Sequence, residues 1–244
     1  MRAWLAVAAV FAACGAPSRP ASAAPKHHGN SRFENPADPD ATPAVKYGAL
    51  TADECFAELD RRQIAYQRET ARGVLAPVRL TGPLHGVTFK TDLAESQRAT
   101  TPWEIGDCRL VLAVDDFAAI LAQHDVVTVV HYSMYRTPPK SWAAEKIGAQ
   151  HNGGLALDAA RFIKSDGSKL VVLDDFHGAI GAQTCGPGAA PHPATPRGTE
   201  LRQILCDTVA AHLFNVVLTP DYNRPHRNHF HLEVMAHTRW FLVH

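Results

Sequence analysis

His226-Arg-Asn-His229-Phe-His231 sets three imidazoles within six positions, a density suited to holding a metal ion. In an extended chain residues i and i+2 share a face, so His229 and His231 project together while Phe230 and Leu232 enter the opposite layer. His226 follows Pro225, where a loop folds it over the same face. Upstream, His151-Asn-Gly-Gly-Leu-Ala-Leu-Asp158 adds a neutral imidazole and a carboxylate, both ligand types of Zn2+. The Gly153-Gly154 pair opposes a helix there and predicts a close-packed bend, with His151 on a loop and residues 155–162 forming a strand. Ala156, Asp158 and Ala160 line one face of that strand, and Leu155 and Leu157 the other. A carboxylate flanked by small residues on a buried strand needs a partner, and a metal is one.

One histidine of the His-x-His pair, taken with His151 and Asp158, gives a set of two His and one Asp. Such a set leaves a fourth tetrahedral position open, as catalytic zinc sites do and closed structural sites do not. The spare imidazoles are groups that take and give protons during metal-assisted hydrolysis. Glu233 is assigned to the strand face opposite His231 and given no part as a base.

These residues resemble a known family. The His-x6-Asp element with its internal Gly154 and Ala156, followed by His-x-His near the C-terminus, is similar to zinc D-Ala-D-Ala peptidases of the lysostaphin and hedgehog group. Tyr135-Arg136, Leu218-Thr-Pro-Asp-Tyr-Asn223 and His226 to Leu232 resemble the bacterial extensin-like C-terminal domain. The His-x2-His-x-His arrangement is also similar to that of the penicillin-insensitive murein endopeptidase. The resemblance spans roughly residues 48–236 and is densest from 131 onward. It implies His151, Asp158 and His231 as Zn2+ ligands, His229 as base with His226 assisting, and Arg136 as the group that grips a substrate carboxylate. A guanidinium fork suits that last task, because it meets a carboxylate in two parallel hydrogen bonds. Two departures stand out: Ala149 where relatives often carry Ser or Thr, and Val74 where extensin-like members often carry Cys.

Several elements must position these side chains. Thr51-Ala-Asp-Glu54 is a capping-box pattern, followed by Cys55, Phe56 and Leu59 at helical spacing. A second helix is predicted from Asp115, carrying Phe117, Ile120 and Leu121 inward, before a β-branched strand at 126–131. Strand 155–162, a turn at 164–168 and strand 169–173 make a hairpin. The Gly- and Pro-rich loop 174–199 is long enough to wall a cleft. Beyond it Leu201, Ile204, Leu205, Val209 and Leu213 mark an amphipathic helix, followed by strands at 215–219 and 229–234. The pattern predicts an α+β fold with a mostly antiparallel sheet and helices on one side, and the resemblance implies a hedgehog or D-Ala-D-Ala-peptidase-like arrangement. His177 and His192 in the loop read as solvated, whereas His131 is placed beside the site by the strand that leads to Arg136.

At 244 residues and formal net charge zero, the chain lacks the basic excess of nucleic-acid binders. Met1-Arg2 and the apolar run to Ala13 predict a signal peptide over 1–23, too short for a membrane span. Phe11-Ala-Ala-Cys14-Gly15 approximates a lipoprotein box, the alternative to soluble export. Residues 24–46, rich in Pro and Ala without periodicity, predict a flexible tether, and 47–244 the domain. Cys55, Cys108, Cys185 and Cys206 then remain for an oxidising compartment, with Cys55–Cys108 and Cys185–Cys206 preferred because the second pair pins loop 174–199 to the helix after it. The function expected is an exported zinc peptidase of the periplasm or cell surface that cleaves peptidoglycan peptides. A zinc-containing cell-wall-binding module without turnover is the runner-up.

Overall fold

The computed structural model describes residues 32–34 and 36–244. The predicted signal peptide and Cys14 lie outside the described residues. In chain order the strands are β1 (Arg32–Glu34), β2 (Tyr66–Arg68), β3 (Pro77–Leu80), β4 (Thr88–Lys90), β5 (Ile105–Asp107), β6 (Val126–His131), β7 (Ala156–Lys164), β8 (Lys169–Val171), β9 (Val216–Leu218), β10 (Phe230–Glu233) and β11 (Phe241–Val243). The helices are α1 (Pro43–Ala49), α2 (Ala52–Arg61), α3 (Glu95–Arg98), α4 (Cys108–Ala122), α5 (Val172–Asp175) and α6 (Pro196–Ala210). One sheet runs β1-β11-β9-β10-β7-β6-β4, with β8 also paired to β7, and β2-β3-β5 form a second small sheet. Most pairings are antiparallel, and β4–β6 and β9–β11 are parallel. The chain is thus the mixed α+β protein that its patterning indicates.

Alternation along the central strands sorts core from site. Leu157 and Ala159 of β7 and Phe230 and Leu232 of β10 join the core with Phe117 of α4 and Leu201, Ile204 and Leu205 of α6. Asp158 and His231 take the other face, and the β7–β10 register sets them directly opposite each other. Against β6, β7 fits an extra residue, since His131 pairs with Ala159 while Val130 pairs with Arg161. Such a bulge reverses which face the following side chains occupy, and Phe162 consequently returns to the core.

Both expected disulfides, Cys55–Cys108 and Cys185–Cys206, are formed. The capping box holds as well: Glu54 N–H donates to Thr51 Oγ1, and Thr51 N–H donates to Glu54 Oε2 at 2.9 Å. Other expectations need correction. The second helix begins at Cys108, seven residues before Asp115, with Asp107 accepting the Arg109 N–H as its N-cap. Its first two turns are buried all round, so no amphipathic period marks them. The predicted tether is ordered from Arg32 to Glu34 and again in α1, because β1 pairs with β11 and Tyr47 of α1 bonds Asp116 of α4. Strand 169–173 stops at Val171, where α5 begins.

The Gly153-Gly154 bend does the packing its sequence predicts. A Cβ on Gly153 would meet the Gly148 carbonyl at 2.5 Å, and one on Gly154 would meet the Asp107 amide at 2.8 Å. Gly154 also adopts φ +65°, and its carbonyl accepts the Asp107 N–H at 2.8 Å. This bend carries His151 into β7. Gly154→Ala should therefore lower stability by about 2 kcal/mol or more, summing left-handed strain and overpacking, as read by urea unfolding. A change below about 0.5 kcal/mol would show that the bend tolerates a side chain.

Candidate metal centre

Three elements deliver the central residues. A 3-10 turn at Gln150–Gly153 presents His151, β7 presents Asp158 and β10 presents His231. His151 Nε2 and His231 Nδ1 each lie 3.0 Å from the same oxygen, Asp158 Oδ1. One ligand atom from each of the three residues lies within 4.8 Å of the others, and all three residues are buried.

The outer edges of both rings are engaged. His151 Nδ1 faces the Met134 carbonyl at 3.2 Å, and a carbonyl only accepts, so that nitrogen carries the proton and Nε2 faces Asp158 with a lone pair. His231 Nε2 lies 3.4 Å from Glu233 Oε2 and donates there, which points the Nδ1 lone pair at Asp158. Two lone pairs thus confront an anionic oxygen. The arrangement requires positive charge between them, either added protons or one cation, and the donor set is one that Zn2+ accepts. Glu233 corrects the sequence reading, since residues 231 and 233 of one strand share a face.

Two further histidines border the trio. His229 Nε2 approaches Asp158 Oδ1 to 3.4 Å, while its Nδ1 faces Asn228 Oδ1 at 2.9 Å. Asn228 in turn donates from Nδ2 to the Tyr132 hydroxyl at 2.9 Å. The Tyr132 ring stands edge-on to His229 with centroids 5.6 Å apart. His226 Nδ1 lies 2.7 Å from Asn223 Oδ1, and its ring centroid is 5.1 Å from that of His229. Both rings therefore keep an Nε2 lone pair free of their asparagine partners. Sequence reasoning missed Asn223, Asn228, Tyr132 and Glu233; the asparagines stand three and one positions before their histidines, a short-range signal that spacing alone offered.

Arg136 adjoins the trio as well. Its NH2 group donates to Asp158 Oδ2 and its Nε donates to Ser133 Oγ at 2.9 Å, while the side chain remains 53% exposed. The fork is thus partly engaged inside the site, with NH1 directed to neither partner. His131 ends β6 fully buried, and neither of its ring nitrogens has a hydrogen-bond partner among the described residues. The Pro- and Gly-rich loop reaches the neighbourhood through Asp221, whose carboxylate accepts the Ala179 N–H at 2.8 Å. His192 is exposed, as expected of a loop histidine.

Burial and charge set the protonation states. Burial raises the Asp158 carboxyl, but hydrogen bonds from His151 and His231 outweigh it and hold the group well below the usual carboxylate range. Burial lowers His231, yet its bonds to Asp158 and Glu233 prevail and raise it to about 9. Burial pushes His131, His226 and His229 down to about 4, with the nearby Asp158 charge opposing the shift in each. The metal-free chain then has a two-sided stability profile. Above the unfolded value of 6.5, folding retains a proton on His231 that the unfolded chain releases, so stability falls as pH rises toward 9, by about 3 kcal/mol. Below 6.5 the unfolded chain gains protons that His131, His226 and His229 exclude, so stability also falls as pH drops toward 4. Chelator-treated protein unfolded in urea should be most stable near the unfolded value, and a monotonic rise from pH 6 to 9 would contradict this charge assignment.

Among the described residues no helix is long and apolar enough to cross a membrane. The two disulfides accord with an exported protein. No curated protein and no solved structure matches this chain. The family model for the extensin-like protein C-terminus matches residues 53–243, a span that includes every residue of the cluster just described, and the chain belongs to that family.

Proposed function

We propose that this protein is a zinc-dependent peptidase that cleaves peptide bonds in peptidoglycan stem peptides or cross-links, related in fold and site to the D-Ala-D-Ala peptidases. The observation that carries the reading is the convergence of two orientation-fixed imidazoles on one buried carboxylate oxygen, flanked by two more imidazoles that a structural ion cluster does not need. His151 through Nε2, Asp158 through Oδ1 and His231 through Nδ1 would hold the ion. Zinc at such a site supplies Lewis acidity, which acidifies a water and polarises a scissile carbonyl.

The chain's own residues supply the remainder. His229 is neutral at pH 7 and directs Nε2 toward the trio, so it accepts the proton of the attacking water. Asn228 holds the opposite edge of that ring and preserves the reactive tautomer. The proton that His229 takes would then go to the departing amine, either from the protonated His229 itself or by way of the adjacent, equally neutral His226. Arg136 bridges Asp158 and the solvent side of the site, where its free NH1 meets a substrate carboxylate. The runner-up, a wall-binding module with bound zinc but no turnover, draws on the number of contacts that already tie the trio together.

Paired variants separate these roles. His231→Ala should abolish stoichiometric zinc, measured by plasma mass spectrometry on purified protein. His229→Ala should keep the metal while turnover of defined muropeptides falls by about two to four orders of magnitude. Full metal in the first variant would refute the ligand assignment, and undiminished cleavage in the second would remove His229 as base. Wild-type protein that binds zinc but leaves every muropeptide intact would favour the binding module.

Arg136 generates a separate outcome. Its loss to Ala should reduce kcat/KM on substrates with a free C-terminus roughly ten- to a hundredfold, the range of a charge-assisted hydrogen bond, with zinc content unchanged. Wild type should show a similar drop when the C-terminus is amidated. Equal cleavage of both substrates by wild type would mean that Arg136 serves Asp158 alone.

A further inference from the structure

The turn that carries His226 borders a cavity of about 280 Å³ whose lining includes Leu173, His177, Ile180, Asn223, Arg224 and Arg227. It shares a wall with the site, because Asn223, which lines it, accepts from His226 Nδ1 at 2.7 Å. Arg224 and His226 belong to one 3-10 turn. The volume accommodates a segment on the order of one or two amino-acid residues, near the lower end of ligand-pocket sizes.

The lining joins two opposite characters. Leu173 and Ile180 are 54% and 68% exposed, which leaves apolar surface open to whatever enters. Arg224 and Arg227 are exposed, and neither forms an ion pair among the described residues, while no acidic residue lines the cavity. Elsewhere the chain pairs its site and core arginines closely, as with Arg62, Arg79, Arg109 and Arg202. Arg227 NH1 donates to the Arg224 carbonyl at 3.2 Å, which holds the two side chains on one turn. Two guanidinium groups with no carboxylate partner, lining the same cavity as two aliphatic side chains, constitute a receptor for a carboxylate on a short aliphatic arm.

The pocket is also built rather than incidental. Its loop wall is tied to the segment that carries the arginines: Asp221 accepts the Ala179 N–H at 2.8 Å through its carboxylate and the Gly181 N–H at 2.7 Å through its carbonyl. Arg202 and Thr184 hold that carboxylate from the core side. Gly178 has no space for a side chain, since a Cβ would lie 2.7 Å from Asp221 Oδ1. His177 is held at φ +51°, a backbone region uncommon outside glycine, and it lines the pocket. The Cys185–Cys206 bridge fastens the same loop to α6.

We propose that this pocket seats a side-branch carboxylate of the peptide substrate next to the scissile bond, so that the enzyme selects stem peptides whose branch acid is free over those in which it is amidated. The inference rests on the peptidase reading for the source of the ligand, but the pocket's preference for a carboxylate on an aliphatic arm stands on the lining alone.

Two arms of one experiment keep these apart, both using the full exported chain loaded with zinc. In the first, the α-amides of N-acetylglutamate and N-acetylglutamine, which differ only in whether the side-chain carboxyl is free or amidated, are titrated by NMR against wild type, Arg224→Gln/Arg227→Gln and the corresponding double Lys variant. Wild type should bind the acid at least tenfold more tightly than the amide, the Gln variant should lose that preference, and the Lys variant should keep part of it. Equal binding of acid and amide by wild type, or an undiminished preference in the folded Gln variant, overturns the pocket. The second arm measures kcat/KM on two stem peptides that differ only in a free or amidated branch carboxylate. A preference of ten- to a hundredfold for the free acid, expressed mainly in KM and lost in the Gln variant, supports the proposal. Cleavage of both at equal rates overturns the substrate assignment while leaving the peptidase reading intact, whereas no cleavage of either sinks the peptidase reading and confines the pocket to small acids.

Discussion

A carboxylate almost wholly removed from water governs this molecule. Asp158 is 1% exposed, and an isolated charge so placed is untenable without compensation. Its two oxygens divide the work: Oδ2 takes the Arg136 guanidinium, and Oδ1 faces three imidazole nitrogens. Because His231 is paired across the strands with Asp158, a one-residue slip in the β7–β10 register would move the carboxylate away from its partner and turn it toward the apolar layer. The polar cluster and the sheet register thus specify each other. The bulge against β6 has a matching role, since it allows β7 to present Asp158 on the site face and still return Phe162 to the core.

Orientation of the imidazoles comes from outside the cluster. Met134 contributes a carbonyl, Glu233 a carboxylate, and Asn223 and Asn228 amide oxygens, each taking the ring nitrogen that does not face the site. Three of these four partners are anchored in their own right. Met134 donates its N–H to the Trp103 carbonyl, Asn228 is locked by Tyr132, and Glu233 is part of β10. Held this way, a ring meets its ligand or proton without first losing rotational freedom, which is how outer partners strengthen a metal or proton-transfer site.

Legibility in the sequence followed the range of the interaction. His229, His231, Asp158 and the glycine bend are local patterns, set by two-residue alternation and by lack of room at Gly153 and Gly154, and they were readable as such. The capping box of α2 belongs to the same class, whereas the disulfides, whose cysteines lie 53 and 21 positions apart, were legible from the even number of cysteines left for an oxidising compartment and not from range. The first two turns of α4 were hidden because their residues are buried on every side, which erases the period that betrays a surface helix. The short strands β2 and β5 were hidden because three residues establish no alternation; β3 holds them in register from outside. Arg136 was legible in position but not in partnership, since its bond to Asp158 joins residues 22 positions apart. Glu233 was a failure of a different kind, in which the alternation rule itself gives the right face and was misapplied.

Comparison with other buried carboxylates of this chain shows what is unusual about Asp158. Asp107 accepts the backbone N–H groups of Leu75, Ala76 and Arg109 together with the Arg109 guanidinium. Glu104 accepts from the Thr91 amide and hydroxyl and from Arg98, and Asp221 accepts from Ala179, Thr184 and Arg202. Each is satisfied by groups that can only donate or are free to turn and donate, which is what a purely structural carboxylate requires. Asp158 instead collects, besides the Arg136 guanidinium, imidazoles whose other nitrogens bond Met134, Glu233 and Asn228, so that a further proton or a cation is needed where the rings face it. A buried charged cluster of this kind is a poor way to stabilise a fold, because apolar residues of equal volume generally serve stability as well or better. Under the proposed function a cation would supply that missing positive charge, and the two flanking imidazoles would move protons beside it.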